Sequence, residues 1–189
     1  MTVKTDISRF HIHDELTAPD ASARIIKGVS SAAGAVSKFI GVLAGAPAAL
    51  RAYARMRSEL RGGSLPRQTR ERIALAVAEH RGDGYSIAQH ARTARASGLG
   101  LDEISSARSF TSSDPQEAAL LVFLEAVLDS NGHPELHLLE EAREIGWTDE
   151  QIIEAVAHLA LSEFQSLIAN AAALPQDQSD PSILPKAAA

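Results

Sequence analysis

The sequence contains no cysteine. Disulfides, thiolate metal ligands, cysteine nucleophiles and any thiol redox cycle within this chain are thereby excluded. Aromatic residues are scarce, at 4% of the chain, whereas alanine occurs 34 times. Alanine is the best helix former and aromatics favour strands, so the imbalance predicts an all-α fold with close, small-residue packing. No segment alternates apolar and polar residues over a useful length, and no sheet is expected. No run of about 18 apolar residues is present either. The longest candidate, Ala118 to Leu128, is interrupted by Glu125. Without such a run, and without the basic, apolar and small-residue order of a secretory signal, the expectation is a cytoplasmic protein with no membrane partner. Neither a Gly-rich phosphate loop nor a dinucleotide fingerprint appears, and no cofactor is expected.

What is present fits one domain of ordinary size: 189 residues, 45% apolar and 22% charged. The net charge of −6 argues against nucleic acid as a partner. It is unevenly spread. Residues 1–70 carry 11 Lys and Arg against 5 Asp and Glu, and residues 71–189 carry 7 against 19. The two parts are expected to attract each other, within a subunit or across a subunit interface. Arg51, Arg55, Arg57 and Arg61 are read as a solvated or interface-lining helix face, with phosphate binding as the alternative.

Prolines and glycines divide the chain into eight or nine helices. Helices are predicted from Pro19 to about Ala33, Pro47 to Arg61, Pro66 to about Arg81 and Tyr85 to Ser97, with Gly34, Gly41 and Gly45 punctuating a short connection after the first. A short helix follows at Asp102, then Asp114-Pro115 to about Ser130, Pro134 to Ile145, and Thr148 to about Ala172. Thr148 and Gln151 form a capping box at the start of the last helix. Residues 1–18 and 175–189 are read as terminal arms.

Laid on itself with a shift of 48, the stretch 71–107 matches 119–155 at seven positions. These are Ala78/Ala126, Gly84/Gly132, Ala94/Ala142, Arg95/Arg143, Gly98/Gly146, Ile104/Ile152 and Ala107/Ala155. Glycines fall at the same breaks in both copies, which points to a duplicated three-helix unit. At the positions of Glu71, His80 and His90 the second copy has Ala119, Leu128 and Leu138. If both copies pack alike, the first has polar groups where the second has core residues, and burying such groups needs a reason. One reading is an acid/base site between the helices of Glu71 and His90; the other is a solvated face.

Ser86 and His90 are four apart on one predicted helix face, the spacing of a Ser/His nucleophile pair, although no strained turn presents the serine. Asp83 reads better as an N-cap than as a catalytic acid. His133 and His137, near Glu135, Glu140 and Glu141, have helical metal-ligand spacing without HExxH, and His11 and His13 precede Asp14 and Glu15. Neither pair is read as a metal site. His158 reads as an interior or interface histidine.

The stretch Arg70-Glu71-Arg72-Ile73-Ala74-Leu75-Ala76-Val77-Ala78-Glu79, then Gly82-Asp83-Gly84-Tyr85-Ser86, His90 and Gly98 to Ile104, resembles the carboxymuconolactone decarboxylase and alkylhydroperoxidase D-like superfamily. The resemblance extends from Thr17-Ala18-Pro19 through Leu43-Ala44 and Pro47 to Asp114-Pro115, Gly146 and Asn170. It implies a multihelical fold with an internal duplication, and a homo-oligomer: a dimer, trimer or hexamer. In the peroxidase branch a Glu is followed twelve residues later by Cys-x-x-Cys and then by His. Here Glu71, Asp83, Ser86 and His90 keep that spacing, with both cysteines replaced. In the decarboxylase branch the His is shared and a Glu takes the place of Ser86.

The resemblance therefore implies a catalytic set of Glu71 and His90 with Asp83, Tyr85 and Ser86 around them, and no thiol peroxidase chemistry. A carboxylate and an imidazole on facing helices suit proton transfer in decarboxylation or isomerisation of a small organic acid or lactone. The alternative is a non-catalytic binding or assembly protein of the family, or one that is an alkylhydroperoxidase or peroxidase by homology only.

Overall fold

The computed structural model describes residues 8–33 and 36–175. Nine helices are present among the described residues, with no strand. They are α1 (Asp20–Ala33), α2 (Lys38–Ala44), α3 (Pro47–Arg61), α4 (Arg67–His80), α5 (Gly84–Ala96), α6 (Leu101–Ala107), α7 (Pro115–Asp129), α8 (Leu136–Glu144) and α9 (Asp149–Ala172).

Local chemistry explains the limits. Pro47 and Pro115 occupy first turns, where a missing N–H costs nothing. The Asp114 side chain accepts from Gln116 N at 2.9 Å, and Asp83 does the same for Ser86 N at 3.0 Å at the start of α5. The capping box is reciprocal: Gln151 N donates to Thr148 Oγ1 at 3.2 Å, and Thr148 N donates to Gln151 Oε1 at 3.1 Å.

Residues 8–62 and 167–175 belong to one compact unit. Its buried apolar residues include Ile26, Phe39, Leu43, Leu50 and Tyr53. Phe39 and Tyr53 meet edge to face at 5.0 Å. The stretch before α1 is tied to this unit, with Arg9 N donating to Ala172 O at 2.8 Å and His13 N to Gly41 O at 3.0 Å. The sequence places Gly41 in a connection, but it lies inside α2. A Cβ there would stand 2.6 Å from Ile12 Cγ2 and 2.7 Å from His13 O, so this glycine serves close approach rather than a turn. The parts of the expected arms at residues 1–7 and 176–189, and Gly34, lie outside the described residues.

Residues 63–166 belong to the second unit, which carries α4 to α8 and most of α9. One core cluster joins Ile73, Val77, Leu120, Leu121, Leu124, Trp147, Ile152 and Leu159, and a smaller one joins Leu75, Ala91, Ala94, Leu99, Ile104 and Ala107. By length and composition α9 is apolar enough to cross a membrane. Its Ile152, Ala155 and Leu159 are core residues of this unit, as in the core helix of a globular protein.

The duplication is visible in the backbone. Shifted by 48, α4 falls on α7 and α6 on the first turns of α9. The ends of α5 and α8 close alike. Gly98 N donates to Arg95 O at 2.9 Å and Leu99 N to Ala94 O at 3.0 Å; Gly146 N donates to Arg143 O and Trp147 N to Ala142 O, both at 3.0 Å. Both glycines have positive φ, +95° and +116°, the left-handed turn that ends a helix with these bonds. The amides of Gln68 and Gln116, also 48 apart, lie beside them at 3.4 and 3.3 Å from where a Cβ would stand.

One identity is not an equivalence. Gly84 is the first residue of α5, whereas Gly132 lies in a turn at φ +90°. The α8 helix starts at Leu136, later than the predicted Pro134, with the extended Glu135 as its N-cap. The first turn of α5 therefore has no helical counterpart in the second copy.

Candidate active site

That unmatched turn carries three of the sequence-predicted residues. Asp83 caps it and is 1% exposed, and Tyr85 and Ser86 are each 5% exposed. Asp83 Oδ1 is used by Ser86 N, while Asp83 Oδ2 is buried without a hydrogen-bond partner among the described residues. Asp83 is thus an N-cap, as its position predicts. The Tyr85 hydroxyl accepts from Gln89 Nε2 at 2.9 Å. No hydrogen bond joins Ser86 to His90 among the described residues, so the Ser/His nucleophile pair is not assembled.

One turn further along α5 stands His90, and across from it on α4 stands Glu71. His90 Nδ1 lies 2.9 Å from Glu71 Oε2. The side chains are 22% and 15% exposed, half-sheltered yet reachable from solvent. Thr93, one turn after His90, donates its hydroxyl to the same Glu71 oxygen at 2.8 Å. Burial pushes the Glu71 carboxyl up, but the hydrogen bond and charge of His90, the Thr93 hydroxyl and the charge of Arg67 outweigh it. The group is held below the ordinary carboxylate range.

An ionised Glu71 has a direct consequence for the imidazole. It accepts the Nδ1–H, which keeps the neutral ring protonated at Nδ1 and leaves the Nε2 lone pair as the basic atom. A carboxylate and an imidazole in this arrangement can serve general acid–base chemistry.

The other histidines lie elsewhere. His80 is on an exposed face, 3.8 Å from Asp129 and edge-on to Phe110. Of the two readings offered for it, this is the solvated face, since the helix end turns it outward. In the second copy Leu128 and Leu138 do pack against the core, although only partly buried. His137 pairs with Glu135 at 3.2 Å on the surface, and His13 Nδ1 bonds to Thr17 O at 2.8 Å. His158 is buried. No group of three or more His, Asp or Glu is placed to hold a metal among the described residues.

Sequence reasoning missed Thr93 and Arg67, and it missed a buried ionic cluster. Arg72 on α4 reaches Glu103 on α6 at 2.8 Å and Glu117 on α7 at 3.2 Å. Glu117 also accepts from Thr69 Oγ1 at 2.5 Å, and Glu103 accepts from Ser112 and Ser113. Burial raises Glu117 above its ordinary value despite Thr69 and Arg72, with Asp114 and Glu103 adding to the rise. Glu103 shows the opposite balance: burial pushes it up, but Ser112, Arg72 and Ser113 bring it down to about 2. The available signal was the repeat itself, because Thr69 and Glu117 are 48 apart and meet.

Several solved structures share this fold. A peroxidase-related protein with an alkylhydroperoxidase AhpD core from Ralstonia eutropha superposes with a TM-score of 0.80 at 23% identity, over 91% of this chain and 93% of its own. A peroxidase-related protein from Silicibacter gives 0.78 at 18% identity, over 94% and 96%. The debrominase Bmp8 gives 0.70 at 18% identity, over 84% and 87%. No functionally curated protein matches the sequence significantly. Residues 47–129 match the sequence model of the carboxymuconolactone decarboxylase family, a span that holds Glu71, Asp83, Tyr85, Ser86, His90 and Thr93. This segment is thus similar to the carboxymuconolactone decarboxylase family, and the chain has the alkylhydroperoxidase D-like fold of the solved structures.

Proposed function

We propose that this protein catalyses cofactor-free proton transfer on a small organic acid or lactone, in a decarboxylation or an isomerisation, with His90 as the acid and base and Glu71 as its partner. The observation that carries the reading is the Glu71–His90 hydrogen bond on facing helices, at positions where the second copy has Ala119 and Leu138. In an isomerisation, His90 Nε2 removes a proton from the carbon between the carbonyl and a carbon–carbon double bond and returns it to the distal carbon of the resulting dienolate, so that the double bond moves into conjugation. In a decarboxylation, the substrate carboxylate leaves as carbon dioxide and protonated His90 supplies the proton to the carbon left behind. Neither route needs a thiol, and this chain has none. The fold does not choose the chemistry, since peroxidase-related proteins and a debrominase share it.

The test is a set of unsaturated and carboxylated lactones incubated in D2O, followed by proton NMR for deuterium uptake and by carbon dioxide release. Turnover that falls about 100-fold or more in His90→Gln and in Glu71→Gln is the expected result. Turnover indifferent to both substitutions, or none with any member of the set, removes the reading.

The second reading, a non-catalytic binding or assembly protein, is favoured by Asp83 and Ser86. At the spacing where the peroxidase branch has thiols, both are buried, and Asp83 is spent on starting a helix. On either reading the protein is proposed to be a cytoplasmic homo-oligomer, which sedimentation and cell fractionation test.

A further inference from the structure

We infer that Thr93 is a positioning residue of the Glu71–His90 pair: its hydroxyl fixes the Glu71 carboxylate so that Oε2 faces His90 Nδ1 and the ring keeps its proton there. The inference deepens the acid–base reading and rests on it.

Three observations support it. The Thr93 hydroxyl has one proton and three acceptors within reach, namely Glu71 Oε2 at 2.8 Å, His90 O at 3.1 Å and Gln89 O at 3.2 Å. The carboxylate is the shortest of these and the charged one, and such bonds are the stronger ones. Both donors, the Thr93 hydroxyl and His90 Nδ1–H, therefore converge on a single oxygen. That fixes the rotation of the carboxylate about its last bond, which one donor alone leaves free.

The second observation is composition. Around Thr93, α5 has Ala88, Ala91, Ala94 and Ala96, all better helix formers than a β-branched threonine. A hydroxyl that only bonded back to its own helix would gain nothing there. The third is the second copy, in which Ala119, Leu138 and Glu141 stand at the positions of Glu71, His90 and Thr93. All three members of the arrangement are exchanged together.

The experiment is nitrogen NMR of the full chain labelled in its histidine rings, with His90 assigned by its loss in His90→Gln. The Nδ1–H to Nε2–H ratio of neutral His90 and the titration of Glu71 are read in the parent, Thr93→Val and Thr93→Ser. The valine has nearly the same shape without the hydroxyl, and circular dichroism establishes that it folds. In Thr93→Val the ratio is expected to fall about twofold to tenfold, the equilibrium worth of one hydrogen bond, with Glu71 titrating at higher pH. Thr93→Ser is expected to restore both. An unchanged ratio and an unchanged Glu71 titration in Thr93→Val would overturn the inference.

This readout is independent of turnover. A shifted ratio in a protein that turns over no lactone supports the role of Thr93 and removes the acid–base function. Lactone turnover that depends on His90 but is indifferent to Thr93→Val, with the ratio unmoved, removes Thr93 alone.

Discussion

The two copies of the helical repeat, 67–107 and 115–155, share their helix closures and differ in what they do with polar residues. The closures at Gly98 and Gly146 have the same bonds, the same buried alanine five residues before the last donor, and the same glutamine alongside. Ala107 and Ala155 are both fully buried, and Ile104 and Ile152 nearly so. The difference lies in one extra turn and two clusters. The first copy begins α5 four residues earlier than the second begins α8, and that turn holds Asp83, Tyr85 and Ser86. It also has Arg72 where the second has Leu120, and Glu71 and His90 where the second has Ala119 and Leu138. The second copy shows that the repeat folds with apolar residues at these places. The ions of the first copy are therefore additions to a scaffold that does not require them, and they fall into two kinds.

Arg72 is the kind that the rest of the structure has come to depend on. Writing the second copy's residue into the first, as Arg72→Leu, leaves the buried Glu117 and the half-buried Glu103 without their cation. The expected cost is the largest of the set, about 3–5 kcal/mol by urea denaturation. A loss below about 1 kcal/mol would mean that the cluster is relieved by water or by protonation.

The same cluster gives a pH dependence. Folding lowers Glu103 from an ordinary 4.5 to about 2, so its contribution to stability is whole above pH 4.5 and is lost as the pH falls towards 2. Glu117 has the opposite sign: raised in the folded state, it opposes folding once the pH passes its ordinary value. Urea midpoints are expected to fall between pH 4.5 and 2, and Glu103→Gln to fall less steeply there. A Glu103→Gln slope identical to the parent's would assign the acid loss to other carboxylates.

Gly98→Ala and Gly146→Ala test the equivalence of the closures. With positive φ and matching neighbours, each substitution is expected to cost about 1–3 kcal/mol from backbone strain, and the two costs to agree within about 0.5 kcal/mol. Thermal unfolding measures both, and unequal costs would show that the likeness of the two turns ends at their geometry.

The smallest effect is expected from Glu71→Ala combined with His90→Leu, which makes this pair resemble the second copy. Both side chains are partly exposed and removed together, so stability is expected to stay within about 1 kcal/mol of the parent or to rise. A loss of about 2 kcal/mol or more would place the pair among the structural ions with Arg72 and move the preferred function to binding or assembly.

The helix limits were legible in the sequence because local residues set them: Pro47 and Pro115 open helices, Asp83 and Asp114 cap them, and Gly98 and Gly146 end them. Gly41 was misplaced since its reason is not local. It is small because Ile12 and His13 press on α2. His80 was left open between a buried and a solvated position because the repeat gives a position but not which way a helix end faces solvent. Glu71 and His90 were found through their spacing and their apolar counterparts. Thr93 was not, although it lies one turn from His90 on the same helix, because hydroxyl to carboxylate contacts leave no mark in composition or periodicity.

The sequence by itself determined an all-α chain, a duplicated unit and the absence of thiol chemistry, because helix propensity, breaker residues and the cysteine count act locally or by simple presence. Only the tertiary structure decided which charges are partners. Arg72 meets Glu103 and Glu117 from 31 and 45 positions away in the chain, and Glu71 meets His90 from 19. An ion's burial and its partner are set by which helix faces pack together, and that is a property of the folded chain.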